Sequence, residues 1–334
     1  MYILLTSGIL LFFFYGCAGN KDNARIDYRE LDKKALEIME VAKAHYEKKN
    51  YFRARWNYGK VIKKYPKSNY ADDAQFNIAR IFHEQESYWR AIDEYKKLVD
   101  DFPASDKIPD TAKYLNEIGE EYWQKNKKYD AVETFKKAIE IYPFGKFAPD
   151  IQFRIANYYF EEKEYEDAII HFEKIIRLYP DHPMFSMSEY KLGICYFNAS
   201  SQWALDQETT QKAIHQMEIF IERYPNSIYI NELKSNINIC KDRLSKRLYK
   251  TGEFYFDNDK HEAAVIYYKN VIEEYPETKW AAYAQFGIAE TFEKESDWNK
   301  AIQAYRKLLE DYPDSELTEK VLTHIERVNS KIVK

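Results

Sequence analysis

The sequence predicts an all-α superhelical solenoid of about seven antiparallel helix pairs, closed by a C-terminal helix. Three observations carry this expectation: a recurring aromatic-proline dipeptide, an alanine at a fixed distance before it, and helically spaced apolar residues between the two. The dipeptide occurs as Tyr65-Pro66, Phe102-Pro103, Tyr142-Pro143, Tyr179-Pro180, Tyr224-Pro225, Tyr275-Pro276 and Tyr312-Pro313. Twelve residues before each of these prolines stands Ala54, Ala91, Ala131, Ala168, Ala213, Ala264 or Ala301. Seven identical intervals mark an internal repeat.

The segment from alanine to proline reads as a helix. In AIIHFEKIIRLYP, the residues Ala168, Ile169, Phe172, Ile175, Ile176 and Tyr179 form one apolar stripe, with Glu173, Lys174 and Arg177 opposite. Proline ends that helix, because it restricts the residue before it and has no N–H to donate. Ser68, Ser105, Ser227, Thr278 and Ser315 follow their prolines by two residues and are expected to cap the next helix. That next helix carries Ile78-Ala79, Ile155-Ala156, Leu192-Gly193 and Ile288-Ala289 at twelve and thirteen residues past the proline. The small residue lets two helices approach, and Phe82, Tyr159, Tyr196 or Phe292 fills the space beside it. Three of the six proline-to-proline intervals are 37 residues and the others are 40, 45 and 51. The pattern resembles the tetratricopeptide repeat in a slightly long form. One such unit cannot bury both of its stripes, so the copies are expected to stack. Residues 316–330 read as a polar-faced helix closing the array.

Composition agrees with a long surface of amphipathic helices. Charged residues make up 31% and hydrophobic ones 45%, with 30 Tyr and 20 Phe against only 9 Gly and 10 Pro. Mean hydropathy is -0.67. A net charge of -5 without a basic block speaks against nucleic-acid binding. Catalytic signatures are missing: His45, His83, His171, His182, His215, His261 and His324 are scattered, and no zinc, hydrolase or phosphate-loop motif occurs. No enzyme activity, metal or cofactor is therefore expected. Cys195 and Cys240 each lie fifteen residues past a proline, at equivalent positions of neighbouring repeats. Equivalent points on stacked helices are about 8–10 Å apart, beyond the ~7 Å that a disulfide spans, so both are expected to be structural thiols.

The N-terminus differs in kind. Tyr2 to Gly16 is uncharged and mostly apolar, like the core of a signal peptide, and Gly16-Cys17 is followed by Ala18 and Gly19. This resembles a bacterial lipoprotein signal, which implies that Cys17 is lipidated and begins the mature chain. No Lys or Arg precedes the apolar run, and Tyr15 is bulky for its position, so a plain signal anchor with an incidental cysteine remains the alternative. On the lipoprotein reading residues 1–17 are the signal and residues 18–32 a polar tether. Beyond the N-terminus no apolar run reaches the length of a membrane span.

Two stretches carry a more specific resemblance. Residues 141–183, IYPFGKFAPDIQFRIANYYFEEKEYEDAIIHFEKIIRLYPDHP, contain the Tyr142-Pro143-Phe144-Gly145 turn and the Pro180-x-His182-Pro183 ending. Residues 239–278, ICKDRLSKRLYKTGEFYFDNDKHEAAVIYYKNVIEEYPET, read as a long helix with a Lys-Asp-Arg-Leu run leading into a Phe-Tyr helix and a Tyr-Pro-x-Thr turn. A long loop is expected at residues 198–211. Together these features resemble the BamD (YfiO) family of outer-membrane β-barrel assembly lipoproteins over about residues 110–325. The layout is then two extra N-terminal repeats at 33–107 and a BamD-like five-repeat region at 108–330.

The resemblance implies a non-enzymatic scaffold, lipid-anchored to the outer membrane and facing the periplasm. Its implied partners are the barrel-inserting outer-membrane protein with its periplasmic domains, other assembly lipoproteins, and unfolded outer-membrane proteins. Repeats at about 225–325 would dock the periplasmic domains. Asn157, Tyr158 and Tyr159 would face a groove for a client's C-terminal peptide, although core packing stays open for both tyrosines. Ala18 beside the cysteine resembles the outer-membrane destination signal. The rival readings are another periplasmic repeat lipoprotein, either a secretin pilotin or a cell-envelope and division coordinator. A lytic transglycosylase scaffold would need a catalytic domain that this sequence does not show.

Overall fold

Alternating helices of nearly constant length build the chain. The computed structural model describes residues 28–202 and 207–332, and among these fifteen α-helices are found. The chain divides into two units, one ending at Ile108 and the other beginning at Pro109. The first unit contains α1 (Tyr28–Glu47), α2 (Tyr51–Lys64), α3 (Ala71–Glu84) and α4 (Tyr88–Asp101). The second begins with α5 (Ile108–Gln124), α6 (Lys128–Ile141), α7 (Ala148–Glu161), α8 (Tyr165–Leu178), α9 (Phe185–Gln202) and α10 (Gln207–Arg223). It ends with α11 (Ile230–Asp257), α12 (His261–Glu274), α13 (Lys279–Lys294), α14 (Trp298–Asp311) and α15 (Thr318–Ile332). Within each unit successive helices pack on one another, and the chain as a whole provides seven A–B pairs and one closing helix: an all-α solenoid of repeats.

The alanines define the contact between the helices of a pair. All seven, Ala54 to Ala301, are 0% exposed on the even-numbered B helices. Around them lie continuous clusters of side chains, such as Ala156, Phe172, Ile175, Leu192 and Cys195. Tyr268 is pinched between α11 and α13, where a Cβ on Gly252 or Gly287 would come within 2.7 Å of its ring. Cys195 and Cys240 are buried free thiols, and burial pushes their pKa up to about 12 and about 11. They take no part in a disulfide, as their repeat positions imply.

Each aromatic-proline turn repeats the same backbone bonds. Ser68 N–H donates to Tyr65 O, and Ala71 N–H then donates to Ser68 O; the pattern recurs in all seven turns. This arrangement corrects the expected capping role of the Ser and Thr residues. The helix begins three residues after Ser68, Ser105, Ser227 and Ser315, and the last three accept instead from the N–H two residues on, still inside the turn, while Thr278 stands at the N-cap of α13 without a side-chain cap bond. Thr278 donates back to Tyr275 O, and the Ser68 hydroxyl is buried without a partner.

The turn from A to B holds a feature with no glycine to announce it. Lys49, Glu86, Asn126, Lys163, Asp259 and Ser296 all have φ between 52° and 63°. Each sits seventeen residues before its proline. Left-handed backbone is unfavourable for residues with a Cβ, so the packed helices on either side must hold it in place.

The irregular intervals are extra helix. Helix α5 has 17 residues where α3 and α7 have 14, which accounts for the 40-residue interval. Helix α11 is a single helix of 28 residues, so the fourteen extra residues of the 51-residue interval are four further helical turns. The Lys-Asp-Arg-Leu run and the Phe-Tyr segment lie on this one helix and not on two. The expected loop at 198–211 is likewise corrected, because α9 continues to Gln202 and α10 starts at Gln207. Side chains such as Ala199 and Thr210 are buried there, which favours helix over loop.

Candidate functional site

Three consecutive A helices, α5, α7 and α9, present one side to a groove of about 590 Å³. The groove is built from apolar walls with a few charges set into them. Trp123, Phe153 and Met184 supply apolar surface, and Arg154 and Lys191 supply cations. The Arg154 guanidinium pairs with Glu120 and lies 5.7 Å from the centre of the Trp123 ring. Lys191 is held differently. Its Nζ donates to Asn157 Oδ1 at 2.5 Å and sits 4.8 Å from the Phe160 ring. Burial lowers the Lys191 pKa against the opposing pull of Glu161, which also lines the groove, and no carboxylate forms an ion pair with Lys191 among the described residues. Asn116 Oδ1, also at the groove, is buried with no hydrogen-bond partner among the described residues.

The three residues singled out from the sequence are placed differently from one another. Asn157 lines the groove and fixes Lys191. Tyr158 does not line it; its ring meets Trp123 edge-on at 6.5 Å and Tyr159 at 5.4 Å, so it supports the wall from behind. Tyr159 packs toward the B helices, accepting from Lys136 Nζ at 2.6 Å and stacking on His171 at 5.5 Å with an interplanar angle of 12°. Cys17 lies outside the described residues.

Trp123, Arg154 and Lys191 were missed by sequence reasoning. A signal exists, because Arg154–Glu120 and Lys191–Asn157 are both separated by 34 residues. Basic residues recurring against polar partners one repeat earlier would have pointed to this face. Among the described residues no cluster of His, Cys, Asp or Glu is arranged to hold a metal, and no helix is long and apolar enough to cross a membrane.

The wall behind the groove contains a titratable group. Burial, reinforced by Lys174 and Lys136, lowers the His171 pKa from 6.5 to about 4. The unfolded chain binds a proton near pH 6.5, but the folded one does so only near pH 4. Stability is therefore expected to fall as pH drops through that window, and to be insensitive to this group above it. A His171→Gln variant should flatten that part of a plot of urea midpoint against pH. An unchanged slope would assign the acid sensitivity to other groups.

Residues 108–286 match the family YfiO, described as outer membrane lipoprotein. The chain belongs to the YfiO family. Residues 39–68 and 283–315 match a tetratricopeptide-repeat model, consistent with the helix pairs of both units. A curated relative, the outer membrane protein assembly factor BamD of Caulobacter vibrioides, is 27% identical over 129 residues. That match spans 37% of this YfiO-family chain and 42% of the relative's length. Among solved structures, a tetratricopeptide repeat protein from Parabacteroides merdae is 13% identical, over 87% of this chain and 98% of its own, with a TM-score of 0.31. The C-terminal part of a repeat protein from Cytophaga hutchinsonii is 18% identical, over 85% and 99%, with a TM-score of 0.30.

Proposed function

We propose that this YfiO-family chain is a non-enzymatic scaffold in the assembly of outer-membrane β-barrel proteins. In this reading Cys17 carries the lipid that holds the chain to the periplasmic face of the outer membrane. The α5–α7–α9 groove takes the C-terminal peptide of an unfolded client. The observation that carries the groove assignment is Lys191, a cation set among aromatic rings whose hydrogen-bond partner is a neutral amide. A chain-terminal carboxylate supplies the charge that Lys191 lacks, in a site where Coulomb attraction is little screened. A terminal aromatic side chain packs against Trp123 and Phe153, and a peptide N–H donates to Asn116 Oδ1. The relative's description as an assembly factor supports the same reading.

The later repeats, around α11 to α14, dock the periplasmic domains of the barrel-inserting protein. They offer a second opening of about 530 Å³ lined by Glu277, Asp311, Asp314 and Glu316. Recovery of that protein by affinity pull-down from detergent-solubilised membranes would support this docking. Recovery of a secretin or division proteins in its place would move the chain to another envelope process.

The groove is tested by titrating a labelled peptide that ends in an aromatic residue and a free carboxylate. Lys191→Gln is expected to weaken it about tenfold, equivalent to ~1.4 kcal/mol, and to leave the C-terminally amidated peptide unaffected. Equal affinity for the two peptides would overturn the assignment of Lys191. Photo-cross-linking of the client peptide that persists unchanged in an Asn157→Ala, Tyr158→Ala double variant would remove the groove altogether.

A further inference from the structure

The first unit carries a surface that the groove and the family match leave unused. Helix α2 contains five basic residues, Arg53, Arg55, Lys60, Lys63 and Lys64, and no acidic one, in a chain whose net charge is -5. Arg55 turns inward, donating to Gln85 and lying 4.5 Å from the Phe82 ring. The other four belong to the outer side, and among the described residues none of them pairs with a carboxylate. Lysines elsewhere on these helices do pair, as Lys97 does with Asp93 and Glu94.

Large apolar side chains stand among these cations. Phe52 is 74% exposed and Trp56 is 59% exposed. With Lys60 and Lys63 they follow one another at four- and three-residue steps, so a single stripe of α2 holds two rings and two ammonium groups. Lys60 Nζ lies 3.3 Å over the Trp56 ring. On α4 the position equivalent to Phe52 is Trp89, 66% exposed, with the Arg90 guanidinium 4.8 Å from its ring. Rings with an apolar body beside a cation are the residues that settle at the headgroup level of a bilayer.

We infer that the outer face of α2, with Trp89 of α4, rests on an anionic phospholipid surface. Charge complementarity favours this occupant, since unpaired Lys and Arg side chains close to a membrane are drawn to its negative lipids. Chain length favours it too. The inference rests on the reading of Cys17 as the lipid-bearing residue, and the stretch from Cys17 to Tyr28 spans at most about 40 Å when fully extended. The unit that bears α2 is thus the part of the described chain joined most directly to the anchor. Seating α2 on the bilayer fixes the orientation of the first two repeats, which a single lipidated residue on a tether cannot do.

The test uses protein beginning at Ala18, which keeps every described helix and carries no lipid. Co-sedimentation is measured with vesicles of phosphatidylethanolamine and phosphatidylglycerol, and with vesicles of phosphatidylcholine alone. Binding is expected only to the anionic vesicles, and to fall at least tenfold in Phe52→Ser, Trp56→Ser and in Lys60→Glu, Lys63→Glu double variants. Phe52, Trp56 and Lys63 are exposed and Lys60 is half-buried with its ammonium over the Trp56 ring, so the thermal melt and the peptide affinity of the groove should not change. Absence of binding to anionic vesicles would overturn the inference, as would binding that the variants leave intact. Loss of an acidic protein partner in the variants, with vesicle binding unaltered, would reassign the face to protein docking. Mass spectrometry of the full-length protein decides separately whether Cys17 is acylated.

Discussion

Replacing Ala168 with arginine is expected to remove the cooperative unfolding transition of the repeats around it. Ala168 is 0% exposed and packs against Ala156, Phe172, Ile175, Leu192 and Cys195. A guanidinium placed there has no carboxylate among those neighbours and no room for its stem. Burying an unpaired charge costs several kcal/mol even after the surroundings relax, and overpacking adds about 1–3 kcal/mol. Their sum is comparable to the whole stability of a typical domain. Circular dichroism during a urea titration reads the effect directly. Arg177→Ala, on the exposed side of the same helix, should leave the midpoint within about 0.5 kcal/mol of the parent. A parent-like midpoint in Ala168→Arg would mean that the α7–α8–α9 contact does not hold this part of the array together.

Glu293→Ala should release the closing helix. The carboxylate of Glu293 accepts from Tyr305 Oη at 2.9 Å, lies 3.1 Å from His324 Nδ1, and pairs with Arg327 at 2.5 Å. His324 and Arg327 belong to α15, so one half-buried carboxylate joins α13 and α14 to the last helix. Removing it takes a charged acceptor from Tyr305 Oη, which keeps His324 Nδ1 at 2.8 Å, and the ion-pair partner from a half-exposed Arg327, a loss of about 1–3 kcal/mol. Hydrogen exchange at the α15 amides is expected to accelerate, with the first unit unaffected. Unaltered exchange would show that Val321 and Val328, both fully buried, hold α15 without the carboxylate. Glu290 is the contrast, because burial raises its pKa and makes its charge a cost in the folded state. Its favourable contribution is lost as pH rises from the ordinary glutamate range through that raised value, so Glu290→Gln should not weaken the fold at neutral pH.

The repeats are legible in the sequence because close packing leaves few choices. Where two helix axes approach, only a small side chain fits, and Ala54 through Ala301 record that constraint at a constant interval. Proline and the aromatic before it record the end of the B helix for the reasons that fix φ and remove a donor. The A-to-B turns left no such record. Lys163 and Glu86 adopt a left-handed backbone that the sequence gives no reason to expect, because the helices on both sides impose it. The groove was legible only at Asn157. Arg154 lies one turn away on α7 itself, but Trp123 and Lys191 come from the A helices one repeat before and one repeat after, so they become its neighbours only after the pairs stack. Tyr158 and Tyr159 are adjacent in sequence but point to different sides of α7, a distinction that composition cannot make.

Helix α11 has a consequence for how this part of the chain gains and loses its order. At 28 residues it is about 42 Å long, twice the height of α7 or α12, and it packs against α10, α12 and α13. In most repeat arrays each unit can melt at its own boundary, since neighbours are joined only through an interface. Here two successive units share an unbroken rod. Once half of that rod is nucleated, the remainder propagates without a second nucleus, each residue fixed adding its own hydrogen bond. The units on either side of α11 therefore zip and unzip as one block, and the seam where fraying can stop is moved away from the centre of the second unit.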